Sequence, residues 1–278
     1  MASSGAWRAF MKEGFRKAKG VSVWRRIAVN AWAPPREATI HGSIEVDAAN
    51  ALAYIASLRE RSGTRVTITH LVAKAVAKAI AESPQMNAIV SGGKLKVRSS
   101  VDIFLQVALD EGESLSGATI RAADTKTVDE IAKELNDKVM SIRSHKDEST
   151  ETTAKTMAKV PDRMLGPVMR VLSWLQYDRG VNLSALGVEW DTFGSAMVTN
   201  VGMFNLAQGY SPLFPLGRTA IVILVGEVTE KPVAVDGEVV IRPMLGLHAT
   251  IDHRVIDGYH AGVIAGHVRK ALLDPDTL

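Results

Sequence analysis

Two hydrophobic periods take turns along this chain, and that alternation limits the fold more than any bulk property does. Residues 38–46 (ATIHGSIEV) are rich in β-branched and alternating side chains, the pattern of a strand. The period then changes: Ala51, Leu52, Ile55 and Leu58 form the stripe of a helix, with Asp47 suited to its N-cap and Gly63 to its stop. Leu71, Val72, Ala75, Val76, Ala79 and Ile80 mark a second helix, capped by Thr69 and ended before Pro84. Short strands at 89–90 and 94–97 flank a Gly92-Gly93 turn, 101–109 is a longer strand, and 119–121 belongs to another. Thr127, Val128, Ile131, Ala132, Leu135 and Val139 mark a third helix.

A polar loop is expected over 144–154, and Pro161 opens a second amphipathic stretch ending near Gly180. Its apolar residues are Met164, Leu165, Val168, Met169, Leu172, Trp174 and Leu175. Strands follow at 196–200 and 219–225, a hairpin at 227–235 and 238–242 turning at Asp236-Gly237, and a strand at 247–252. A closing helix over 259–273 stops at Asp274-Pro275. Neither Gly-x-Gly-x-x-Gly nor a lysine-containing phosphate loop occurs, so this is an α/β domain of a kind that does not bind nucleotides through such loops.

With 46% apolar and 23% charged residues the chain is ordinary globular material with enough apolar side chains for a core. The lack of cysteine removes disulfides, thiolate metal sites and a cysteine nucleophile, and no other residues show trusted metal-ligand spacing. A net charge of +3 is too small to argue for nucleic acid. No apolar run reaches the roughly 18 to 20 residues of a spanning helix, and no signal-peptide pattern is present, so the expected location is the cytoplasm. Charge is concentrated in an expected N-terminal arm, residues 1–36. There Arg8, Lys12, Arg16, Lys17, Lys19, Arg25 and Arg26 are opposed before Asn30 only by Glu13, with Trp7, Phe10, Met11 and Phe15 interleaved. Such a stretch suits either a neighbouring subunit or an anionic membrane surface.

The most informative segment is Asp252-His253-Arg254-Val255-Ile256-Asp257-Gly258. A histidine leaves the end of an apolar strand, and an aspartate and a glycine follow before a helix. Imidazole is the natural base for a thiol or hydroxyl near neutral pH. Gly258 is the candidate for an unusual backbone angle at the turn. Spacing alone leaves a catalytic and a structural histidine both open.

The segment DHRVIDG resembles the active-site signature of the dihydrolipoamide acyltransferases of 2-oxo acid dehydrogenase complexes, a pattern shared with chloramphenicol acetyltransferase. Supporting stretches run in the same order: ITHLVAKAVAKAIAESPQMNAIV, AADTKTVDEIAKEL, MVTNVG and VGEVTEKPVAVDGEVVIRPML. The resemblance covers roughly 45–135 and 194–275. It implies an α/β, chloramphenicol acetyltransferase-like mixed sheet flanked by helices, in a homotrimer that sometimes builds a larger core. It also implies acyl transfer between coenzyme A, bound as a substrate, and a thiol such as dihydrolipoamide.

Carried over by position, His253 is the general base and Thr199 donates to the oxyanion. Asp257 orients the loop through an arginine, with Arg25, Arg26 and Arg254 as candidates. Asn200 supports the turn, and Asn200, Gly258 and Arg254 are weak candidates for contacts to coenzyme A. The resemblance also implies that base and hydroxyl come from neighbouring chains. His41 and His70 are read as core or cap residues, His145 as solvated, and His260 and His267 as partly exposed. His248 points to the face opposite His253 and is assigned no tunnel role.

The chain departs from the family pattern in three places. No lipoyl or peripheral-subunit-binding domain is read in these residues, so the expectation is that a lipoyl group comes from a partner protein or that the acceptor is something else. It has Ser116-Gly117-Ala118-Thr119 where a Val-Val-Pro-Val stretch is common near the acyl tunnel. The region 144–190, within a catalytic domain expected at 37–278, is an insertion suited to packing on the sheet, to a lid or to a partner or membrane contact. Two other readings stand beside acyl transfer to a thiol: a non-catalytic trimeric assembly protein of a dehydrogenase complex, and a membrane-peripheral acyltransferase with a lipid-like acceptor.

Overall fold

The computed structural model describes residue 23 and residues 38–109, 114–143 and 160–278. Apart from residue 23, the expected N-terminal arm with Arg25 and Arg26 lies outside these residues, as does His145. The chain enters through β1 (Thr39–Asp47), then α1 (Ala49–Ser62) and α2 (Ile68–Ala81), the small hairpin β2 (Ala88–Ser91) and β3 (Lys94–Val97), and the antiparallel pair β4 (Ile103–Leu109) and β5 (Ser114–Ile120). After α3 (Val128–Arg143) come α4 (Asp162–Ser173), β6 (Ala196–Asn200), β7 (Ile221–Val235), β8 (Glu238–Asp252) and α5 (Gly258–Leu273).

Six strands form one mixed sheet in the order β1-β8-β7-β6-β4-β5. The central pairs β4–β6 and β6–β7 are parallel, and β1–β8, β7–β8 and β4–β5 are antiparallel. Strand alternation divides the inward-facing side chains between two layers. Ile103, Leu105, Ala196, Val198, Ile221, Ile223, Val225, Leu247 and Ile251 join the helices in the main core. Phe104, Met197 and Val222 face the other way, into a smaller cluster with Leu213, Phe193 and Phe214. Helix α2 is buried on nearly every side, which its largely Ala, Val, Leu and Ile sequence permits.

Several boundaries differ from the sequence reading. The N-cap of α1 is Ala48, with Asp47 bonding one residue further along through Oδ1 to the Ala49 N–H at 2.9 Å. Thr67, not Thr69, caps α2, because His70 completes a capping box with it. The strands read as separate around Gly226 and Gly246 are continuous. A register shift between Val225 and Val228 takes up the irregularity in β7. The β7–β8 turn does sit at Asp236-Gly237, whose φ values of 51° and 87° suit a tight hairpin. Among the described residues no helix is long and apolar enough to cross a membrane.

Candidate active site

His253 follows the last residue of β8. Its backbone N–H donates to Ala38 O at 2.6 Å, and the N–H groups of Val255 and Ile256 each donate to Asp252 O at 3.0 Å. Ile256, fully buried, pins this turn into the core. The imidazole is exposed, with Nδ1 3.0 Å from Ile256 O. A carbonyl only accepts, so Nδ1–H is the donor, and in the neutral ring Nε2 then carries the lone pair, the tautomer a general base requires.

Asp257 is the N-cap of α5. Its Oδ1 accepts the His260 N–H at 3.1 Å and lies 2.9 Å from His260 Nδ1. The His260 backbone bond is the main reason its carboxyl titrates below the usual carboxylate range. Arg254 forks instead onto Asp252, Nη2 to Oδ2 at 2.6 Å and Nε to Oδ1 at 2.9 Å. Within the described residues Asp257 is met by His260 at the helix N-terminus, and Arg25 and Arg26 lie outside them. Gly258 is not among the residues with positive φ, and a Cβ there meets no atom within 4 Å. The backbone angle expected of it is absent because the turn closes through Asp252 O before the helix starts.

Thr199 is the penultimate residue of β6 and is buried. Asn200 locks the strand end: its Nδ2 donates to Thr69 Oγ1 at 2.8 Å, and its Oδ1 accepts the Gly202 N–H at 2.8 Å. Thr199 is level with Leu224, and Leu224 with His248. His253 lies beyond Asp252, whose N–H reaches Ala220 O near the start of β7. Thr199 and His253 therefore sit about 15 Å apart along the strands and about 10 Å across them. One chain does not bring them together.

Sequence reasoning passed over what does surround Thr199. His248, buried on the same face two strands away, contacts Ala207 and Tyr210 in the loop that continues from Asn200. Local sequence offers no signal for this, since the partners are 41 and 38 residues away. His41 is an exposed edge-strand residue, not a core one, its ring tilted against that of Tyr210 with centroids 4.9 Å apart. His70 is a buried cap and His267 pairs with Glu82 at 2.7 Å.

A family model described as 2-oxoacid dehydrogenases acyltransferase, catalytic domain, matches residues 31–158 and 189–278. The chain belongs to this family. Among its relatives is the lipoamide acyltransferase component of the branched-chain α-keto acid dehydrogenase complex of Bacillus subtilis, 29% identical over 234 residues, which are 82% of this chain and 45% of that protein. Another is the mitochondrial dihydrolipoyllysine-residue succinyltransferase component of the 2-oxoglutarate dehydrogenase complex of Saccharomyces cerevisiae, 27% identical over 217 residues, 78% of this chain and 37% of that one. The chain thus spans less than half the length of these relatives.

The acyltransferase fold is equally plain in solved structures. Dihydrolipoamide acetyltransferase from Azotobacter vinelandii, in which the catalytic roles of a serine, a histidine and an asparagine were investigated, superposes with a TM-score of 0.69 at 19% identity over 96% of both chains. A probable dihydrolipoamide acetyltransferase from Listeria monocytogenes gives 0.66 at 21% identity, over 94% of this chain and 95% of that one. Between the two stretches matched by the acyltransferase family model lies α4. Its anchors are specific to the tertiary structure: Ser173 Oγ donates to Leu216 O at 2.9 Å, and Asp178 pairs with Arg218 at 2.8 Å.

Proposed function

We propose that this chain transfers acyl groups between coenzyme A and a thiol acceptor such as dihydrolipoamide, with His253 as general base. The observation that carries this reading is the Nδ1–H of the exposed His253 held on Ile256 O just after β8, which in the neutral ring puts the basic lone pair on Nε2. Family membership supports the reaction type, and the names of the relatives support a lipoyl acceptor.

In the forward half-reaction Nε2 takes the proton of the attacking thiol. The thiolate adds to the thioester carbonyl, and the tetrahedral oxyanion is held by the Thr199 hydroxyl of an adjacent chain in a homotrimer. Collapse expels the second thiolate, which recovers the proton from Nε2. A preorganised donor at the oxyanion is worth roughly 3 kcal/mol of barrier. Asp257 contributes by fixing the start of α5 and hence the turn that carries His253. The acceptor thiol is that of a dihydrolipoyl group, and coenzyme A serves as substrate.

The test is acyl transfer from acetyl-, butyryl- and longer acyl-coenzyme A to free dihydrolipoamide. His253→Ala is expected to lose about 100-fold or more in kcat. Transfer by wild type that survives His253→Ala unchanged would remove the general-base role. Coenzyme A binding without transfer would point to another acceptor, and absence of both would favour the assembly protein.

A further inference from the structure

The loop that leaves Thr199 and Asn200 lies directly on the backbone of β7 and β8. Gly202 N–H bonds Asn200 Oδ1 at 2.8 Å, Leu206 O accepts the Glu227 N–H at 3.0 Å, and Gly209 packs on Leu224, where an added Cβ would sit 3.6 Å from Cδ1. The approach is so close that side chains beneath it are excluded. A Cβ on Gly226 would fall 2.2 Å from Ala207 O, and one on Gly246 would fall 3.0 Å from the same oxygen. The glycines open a channel for the chain, but a gap in the sheet surface does not by itself hold a loop in place.

His248 supplies the hold. Its Nε2 lies 3.2 Å from Ala207 O, and because a carbonyl has no proton to give, Nε2–H is the donor. The ring is 5% exposed, meets Tyr210 edge-on with centroids 5.5 Å apart, and leaves Nδ1 buried without a partner among the described residues. A buried imidazole nitrogen left unbonded is costly, and the position is occupied by histidine nonetheless. Tyr210 in turn meets the His41 ring at a tilt, centroids 4.9 Å apart, and His41 Nδ1 shares a hydrogen bond of 3.2 Å with Thr250 Oγ1. The loop is thereby clamped at its middle and at its far end, beginning one residue after the strand end that carries Thr199.

We propose that His248 is a positioning residue for the oxyanion end of the site, acting through Ala207 to hold the 201–210 loop and, through that loop, the Thr199–Asn200 strand end. The inference rests on the acyl-transfer reading for its effect on turnover, while the clamp itself can be measured without any activity. In the full chain, His248→Ala is expected to lower kcat for coenzyme A-to-dihydrolipoamide transfer by about 10- to 100-fold, the scale of a misplaced catalytic group. KM for either substrate should stay within about twofold, the outcome a residue acting only through the loop predicts.

His248→Gln places an amide N–H near the same carbonyl and is expected to recover most of kcat. Hydrogen exchange supplies the independent measurement. The amides of Leu206 and Glu227, bonded within and beneath the loop, should exchange about tenfold faster or more in His248→Ala and return towards wild type in His248→Gln. Unchanged exchange in His248→Ala overturns the clamp, and so does equal impairment of the Ala and Gln variants. Faster exchange with unchanged kcat overturns its catalytic role. If wild type shows no His253-dependent transfer, the acyl-transfer reading and the effect on turnover fall together, and the exchange result still decides whether the clamp exists.

Discussion

Gly117 shows what one absent carbon permits. A Cβ built there would stand 2.2 Å from Phe104 Cζ and 2.7 Å from Leu105 O, so the phenyl ring occupies the space a side chain would need. That ring continues into an aromatic row, 5.0 Å to Phe193 and from there 4.8 Å to Phe214, on the Thr199 face of the sheet. The aromatic ring on β4 thus takes the space that a side chain on β5 would fill. Gly117→Val should destabilise by about 2 kcal/mol or more through overpacking. Adding Phe104→Ala should restore part of the loss, the backbone contact with Leu105 O remaining. Denaturant midpoints of the two single variants and the double variant measure the coupling, and strictly additive effects would show that ring and glycine are independent. The glycine was visible in the sequence as a departure, but its aromatic counterpart was not. The two lie on neighbouring strands, and a family pattern on one strand says nothing about compensation on the next.

The start of α2 offers a comparable case among the helices. Thr67 N–H donates to His70 Nδ1 at 3.0 Å, which requires that nitrogen to be unprotonated. Burial, aided by the charges of Arg59 and Arg65, lowers the His70 pKa from 6.5 to about 4. With the folded value below the unfolded one, the unfolded chain binds the proton first as pH falls. The stabilisation is complete above pH 6.5 and drains away towards pH 4. Its full extent is about 3 kcal/mol, as an upper figure from roughly 1.4 kcal/mol per pH unit. His70→Asn keeps a cap acceptor and cannot titrate. Between pH 7 and pH 4.5 its urea midpoint should fall less than that of wild type, and an equal fall in both proteins would exclude His70 as the group responsible. Sequence periodicity located this helix to within a residue or two. It placed the cap at Thr69 because a capping box is read from Glu or Gln three residues after the cap, and that place after Thr67 holds a histidine kept neutral by the surrounding core.

At the level of the assembled protein, the sheet order sets the strongest constraint. With β6 and β8 separated by β7, and with His253 five residues beyond the His248 level of Thr199, a single chain cannot form the proposed oxyanion site around its own base. A homotrimer resolves this if each site takes His253 from one chain and Thr199 from the next. Thr199→Ala and His253→Ala chains, each weak alone, should then complement when assembled together. Random mixing at equal amounts leaves about a quarter of the sites with both groups intact. Recovery of activity in mixed trimers, with trimers confirmed by sedimentation, is the expected result. Absence of complementation in mixed trimers would place the whole site within one chain.

The sequence by itself determined the class of fold, because strand and helix periods are written locally in the spacing of apolar side chains. It also singled out His253, because DHRVIDG is a contiguous pattern whose residues act within one turn. Only the tertiary structure decided which nitrogen of His253 is the basic one, since that depends on the carbonyl of Ile256 folding back under the ring. Only the tertiary structure gave Asp257 to the N-terminus of α5 and set His248 over Ala207. These are contacts made by backbone carbonyls and by residues far apart in the chain. Backbone groups are the same at every position, so their partners are settled by how the strands register and where the loops cross them, and not by the residue types that a sequence displays.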